Sequence, residues 1–247
     1  MRRSIAFATA CVAVLSSISL AQWPPDRLQN IKALPADISV RALVDTMAGF
    51  TRALGVRCTY CHVGREGIPL AQYDFVTDSL PAKRKTREML RMVSAINADL
   101  LTKVPERRTP VIAVDCVMCH HGVAQPRPLQ QLLLTAYDAG GVDSTEAAYR
   151  ALRQRYYGSA AYDFGEVPLT DVAAAVRGRD RLADALRLYK LNVAFLPASG
   201  FALRQAAGAE LIAGDTATAI ASLQRALEIN ENDGQAKTAL DALRRKP

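Results

Sequence analysis

Two short strings constrain this chain more than anything else in it. Cys58-Thr59-Tyr60-Cys61-His62 and Cys116-Val117-Met118-Cys119-His120-His121 are two copies of C-x-x-C-H, and together they hold every cysteine except Cys11 and all three histidines. Two thiols three positions apart can each add to one vinyl group of a haem. The next residue is then held under the porphyrin, where its imidazole ligates the iron from the proximal side. Paired disulfides would not need a histidine after each pair. A zinc site would set the two pairs about 15–20 residues apart, and Cys61 and Cys116 are far more widely separated. A thioredoxin-like pair needs a βαβ context that the sequence does not show. The strings therefore imply two covalent haem c groups, attached through Cys58, Cys61, Cys116 and Cys119, with His62 and His120 as proximal ligands.

The remaining cysteine falls in an N-terminal segment of a different kind. Met1-Arg2-Arg3 is a short basic start, Ile5 to Leu20 is apolar and rich in Ala and Ser, and Ser19-Leu20-Ala21 supplies small residues for cleavage before Gln22. Residues 1–21 are expected to be a secretory signal peptide rather than a retained anchor, since the apolar stretch is short for a span. The mature chain is then periplasmic. Lys and Arg outnumber Asp and Glu by 31 to 24, with no basic run long enough to argue nucleic acid. Half the 247 residues are hydrophobic but only 6% are aromatic, which favours packed helices over a β-sandwich.

Histidine is exhausted by the attachment motifs, except for His121, which is too close along the chain to reach round to its own iron and is left with the other haem as a minor alternative. Methionine sulfur is the remaining soft, neutral sixth ligand. Met118 lies inside an attachment loop, which leaves Met47 for the first haem and Met89 or Met92 for the second. Both regions read as helices. From Asp37 or Ser39 as N-cap, Val40, Leu43, Val44, Met47, Phe50 and Leu54 fall on one face, and Gly55 closes the helix. A second helix is predicted over about 82–101, with Met89, Met92, Val93, Ile96 and Leu100 on one face.

Residues 27 to about 128 resemble the cytochrome c subunit of photosynthetic reaction centres, specifically one dihaem half of that four-haem protein. The likeness is carried by Met47-x-x-Phe50, Leu54-Gly55-Val56-x-Cys58-x-Tyr60-Cys61-His62, Lys85-Thr86-Arg87-x-Met89-x-x-Met92, Ile96-Asn97 and Cys119-His120-x-Gly122. In that family a helix precedes each attachment loop and its methionine binds the iron of the haem attached next. The resemblance implies that Met47 pairs with His62 and Met89 with His120, and that Met92 packs. Two of the family's four haems have no counterpart here, and His121 stands where the family usually carries a basic residue.

Ala124-Gln125-Pro126-Arg127-Pro128 reads as a linker, which divides the chain into a dihaem domain, 22–128, and a helical domain, 129–247. Helices are predicted at about 129–138 and 143–157, the latter capped by Asp143 or Ser144. Beyond Pro168 the sequence repeats with a period of 34: Leu169 aligns with Leu203, Ala185 with Ala219, Tyr189 with Leu223 and Val193 with Leu227. This looks like two degenerate tetratricopeptide repeats (TPRs) over about 166–231, closed by a capping helix from Ala236 to Arg245. The fold class is all-α.

The function these features imply is a one-electron carrier with His/Met-ligated haems rather than an enzyme, because no spare histidine or partnered nucleophile is left for catalysis. Its partners would be redox proteins, a protein docked on the repeats, and at the periphery a membrane complex. The alternatives are a peroxidase-like haem enzyme with one open iron, or a repeat-based binding module that carries haems.

Overall fold

The computed structural model describes residues 23–107 and 109–245; the expected signal peptide, 1–21, lies outside the described residues. The described residues are all-α. Their only extended pairing is a single bridge between Val63 and Asp74. They form two compact units. One comprises residues 23–51 and 57–114, the other residues 52–56 and everything from Asp115 onward.

The first unit is built on two helices. In α1 (Val40–Leu54) the N-cap is Ser39, not Asp37: its Oγ accepts from the Ala42 N–H at 3.2 Å. Helix α2 (Pro81–Ala95) has Pro81 at its first position, where a missing N–H costs nothing. It runs on through a wide turn at Ile96–Leu100 into a tight turn at Leu101–Lys103, so the predicted span of 82–101 is continuous but loosened in its last third. Asn97 stands in that loosened turn. Its amide donates to the Val114 carbonyl at 2.8 Å and its oxygen accepts the Val114 N–H at 2.7 Å, which fastens the returning strand of chain.

The second unit begins with a five-residue helix, α3 (Cys116–His120), followed by α4 (Leu129–Tyr156). Gly140 and Gly141 break α4 into the two predicted pieces, with Gly141 at φ 68°. Neither Asp143 nor Ser144 caps the second piece as expected. Asp143 instead forms an ion pair with Arg187 at 2.7 Å, and the Ser144 hydroxyl lies against Gly140, where an added Cβ would come within 2.1 Å of it.

Five helices follow: α5 (Glu166–Arg177), α6 (Leu182–Phe195), α7 (Gly200–Ile212), α8 (Thr216–Ile229) and α9 (Gly234–Arg244). The starts of α5, α7 and α9 are 34 residues apart, and so are those of α6 and α8. The predicted period is thus the spacing of real helical hairpins. Equivalent positions share one environment: Leu169 and Leu203, Ala185 and Ala219, Tyr189 and Leu223 are all buried. Alanine at 185 and 219 lets neighbouring helices approach, and the large residue four positions on fills the space beside them. Each fully buried Leu or Val contributes roughly 1.5–3 kcal/mol. The second piece of α4 covers the open side of α5 and α6 through Tyr149, which is fully buried against Phe164 and Phe195. At the other end Ala236 and Leu240 of α9 close over Leu203 and Ala207. Asn192, where a repeat of this kind favours a small residue, is buried and donates to the Glu166 carbonyl and the Thr170 hydroxyl oxygen at 2.7 and 3.0 Å.

Candidate haem centres

The first C-x-x-C-H closes a single helical turn. The His62 N–H donates to the Cys58 carbonyl at 2.9 Å and the Cys61 N–H to the same oxygen at 3.2 Å, and residues i, i+3 and i+4 of such a turn share one face. Both thiols and the imidazole therefore project together. The Cys61 Sγ lies 4.0 Å from the Thr86 hydroxyl, which itself donates to Ala82 within α2. Burial pushes the Cys61 thiol above its ordinary range. The ring of Phe75 meets His62 edge-on at 4.8 Å, and Trp23 and Tyr73 stack on Phe75 in turn. Burial in this aromatic pocket, with Lys83 nearby, holds the imidazole down to about 4. At neutral pH His62 is uncharged, the form a metal needs. Its buried Nδ1 has no hydrogen-bond partner among the described residues.

Phe75 is held by an electrostatic hub that the sequence did not reveal. Lys83 donates to the carbonyls of Phe75, Val76 and Thr77 at 2.8, 3.1 and 2.9 Å. Asp78 gathers Lys32 and Arg87, each at 2.7 Å, with Asn30 at 2.8 Å and Lys83 at 3.5 Å. Asp74 turns the chain by accepting from the Val76 and Thr77 N–H groups at 2.8 Å. The guanidinium of Arg87, then Lys32, holds the Asp78 carboxyl well below the usual carboxylate range. A carboxyl depressed by folding adds stability that is complete above its unfolded value, near 4, and is lost only as pH falls from there through its folded value. Asp78→Asn should therefore lower the melting temperature of the unit built on α1 and α2 at pH 7, and by progressively less as pH is taken down from about 4. Melts of variant and wild type across a pH series check this.

The second motif forms α3. Asp115 is its N-cap, accepting from the Met118 N–H at 3.2 Å, and Cys116, Cys119 and His120 again share a face. His120 Nδ1 is 2.9 Å from the Val123 carbonyl. A carbonyl only accepts, so Nδ1 carries the proton and Nε2 keeps its lone pair for a metal. Burial, then Asp115, raises the Cys116 thiol. His121 takes the left-handed conformation, φ 47°, and Gly122 follows at φ 81°. The Gly122 N–H then donates to the Ala53 carbonyl at 2.9 Å. Gly55, itself at φ 64°, faces Gly122 so closely that an added Cβ would lie 2.0 Å from its carbonyl oxygen. Gly55→Ala combines a forbidden contact between backbones with left-handed strain, and should cost about 2–4 kcal/mol in a denaturant melt.

Among the sixth-ligand candidates, Met47 is half-buried on α1, in the same unit as His62. Met89 and Met92 are 39% and 45% exposed on α2; neither serves as a core residue. No group of three or more His, Cys, Asp or Glu side chains among the described residues is placed to cage a metal ion, and no disulfide joins the four described cysteines. In the first unit not one described residue is buried, whereas the helical hairpins bury a full set of Leu, Val, Ala and Tyr. A chain segment of this length normally assembles an apolar core of its own. Here Val63, Val76, Met89, Met92, Leu100, Val104 and Ile112 stay open, as expected of side chains that pack on a porphyrin instead of on each other. The residues present therefore fit the group that the motifs call for.

Residues 26–136 match the family model of the photosynthetic reaction centre cytochrome C subunit. This segment resembles a cytochrome. The match covers a little under half of the chain and spans both attachment turns. No curated protein matches the chain. Among solved structures, the first TPR of Spaghetti (RPAP3), bound to HSP90 peptide SRMEEVD, is 20% identical with a TM-score of 0.32; the likeness covers 47% of this chain and 87% of that one. Within the cytochrome-like segment, sequence reasoning picked out the attachment residues but missed Phe75, which touches His62, and Lys83 and Asp78, which hold the Phe75 segment in place. Thr86 and Asn97 stood in the quoted motifs without a role; the structure puts one against Cys61 and the other on the backbone of Val114.

Proposed function

We propose that the protein is an exported dihaem c-type cytochrome that passes single electrons between partner proteins. The observation that supports this most is the geometry of the two C-x-x-C-H turns, each of which projects two thiols and a metal-competent imidazole from one face. Cys58 and Cys61 would hold one haem and Cys116 and Cys119 the other, as thioethers. His62 and His120 would each present Nε2 to an iron. The bound haem iron supplies a one-electron change between ferric and ferrous, which needs no proton from the chain.

The residues around His62 have a defined task in this reading. Phe75, Trp23 and Tyr73 exclude water from the imidazole and fix its plane, and Lys83 keeps Phe75 in place. At the second centre Val123 orients His120. Met47 is proposed as the sixth ligand opposite His62. Met89 is proposed opposite His120, a pairing carried over from the family. A neutral thioether sulfur favours the ferrous state and a raised potential. We assign the haem function to residues 22–128 and a partner-docking role to the repeats, with periplasmic location after loss of 1–21. No helix among the described residues is long and apolar enough to cross a membrane. Contact with a membrane complex would then be peripheral.

Intact mass and a haem stain of the mature protein, purified from a host that matures c-type cytochromes, test the base of the proposal: two added haems are expected. Reduced-minus-oxidised spectra and the near-infrared sulfur-to-iron band test the ligands. A colourless chain at its bare polypeptide mass overturns the whole reading, while a native high-spin haem that binds CO overturns His/Met ligation and favours a peroxidase-like enzyme.

A further inference from the structure

We propose that Lys83 sets the reduction potential of the haem at Cys58/Cys61 above that of the haem at Cys116/Cys119, so that the two centres are electrostatically unequal by construction. This rests on the reading that both haems are attached.

The Lys83 side chain is only 12% exposed, and its ammonium is fixed by three carbonyls in a row, those of Phe75, Val76 and Thr77. Phe75 in turn touches His62, so the charge stands one residue behind the proximal imidazole. Arg87, 13% exposed, lies one turn further along α2 and binds Asp78 and the Asn30 carbonyl. Lys32, Lys83 and Arg87 converge on the single carboxylate of Asp78, and the other acid beside His62 is Asp74, whose carboxylate is tied to two backbone N–H groups in an exposed turn. Water screens an exposed carboxylate far more than a cation sheltered by protein. The field that Lys83 and Arg87 set up at His62 is therefore positive and only partly offset by Asp74.

At the second centre the charge next to the motif has the opposite sign, and no hydrogen bond among the described residues places a sheltered cation behind it. Asp115, itself exposed and so partly screened, precedes Cys116 and accepts from the Met118 N–H in the first turn of α3. An electron added to a metal is favoured by a nearby cation and opposed by a nearby carboxylate. A sheltered unit charge about 10 Å away at an effective dielectric near 20 changes such an equilibrium on the order of tenfold, equal to about 59 mV for one electron.

The test is a spectroscopic redox titration of the full-length, haem-loaded protein and three variants. Two one-electron components are expected. In Lys83→Met the higher component should fall, its reduction constant dropping on the order of tenfold, and Lys83→Arg should restore it. In Asp115→Asn, where the amide keeps the helix cap, the lower component should rise. The proposal is overturned if Lys83→Met leaves both components in place or moves the lower one. If that variant does not accumulate, Asp115→Asn decides: no shift, or a shift of the higher component, also overturns it. A wild-type protein without two haems per chain refutes the functional reading instead, and the haem content measured beforehand separates the two failures.

Discussion

Replacing Cys58 and Cys61 together by serine is expected to halve the covalent haem of the protein and to loosen the unit built around α1 and α2. The first effect follows from chemistry, since serine forms no thioether. The second follows from burial. No described residue of that unit is buried as a whole, so the porphyrin is the apolar body on which Val63, Val76 and the residues of α2 would close. A cofactor that binds only the folded state is a stabilising ligand, and covalent attachment makes its effective concentration very high. The helical hairpins, which bury Leu169, Leu188, Leu203 and Leu223, should keep their cooperative transition. Haem per chain by intact mass, with limited proteolysis to see which half is cut, measures both. A variant that keeps two haems, or whose α1–α2 unit resists protease as well as the wild type, would contradict this account.

Met47→Ala is expected to have the next largest effect: roughly half of the haem should become CO-binding, with loss of about half the near-infrared sulfur-to-iron band. The potential of the affected component should fall, because the remaining ligand set favours the ferrous iron less. Met89→Ala should do the same to the other half, and Met92→Ala should do neither. If exchanging Met92 opens an iron and exchanging Met89 does not, the pairing carried over from the family is wrong at the second centre. CO difference spectra of the three single variants distinguish these cases.

The two centres differ in how far the sequence disclosed them. The attachment residues were legible because their chemistry requires fixed spacing, and residues at i, i+3 and i+4 meet on one turn whatever surrounds them. The helices of the second unit were legible because Leu169, Ala185 and Tyr189 recur 34 residues later in the same environment. The hub at Asp78 was not. Its members come from residues 30, 32, 78, 83 and 87, and no periodicity links a loop to a helix so far along the chain. The expected caps at 143–144 failed for a related reason. A helix start read from residue preference alone cannot foresee that Gly140 and Gly141 make the turn, nor that Arg187 of α6 claims the Asp143 carboxylate. Ser39, where no distant partner competes, caps α1 as expected.

The even step from Glu166 to Gly200 to Gly234 bears on how such a protein can vary over descent. Each hairpin touches mainly its neighbours, so duplication of one 34-residue module between α8 and α9 would lengthen the tail and open only the seam under α9, which the copied helices would form again. The cytochrome-like half has no such freedom, because its chain segments converge on shared groups from many directions. Lineages carrying this architecture should therefore differ in the number of their hairpins while holding the spacing around Cys58 and Cys116 almost constant.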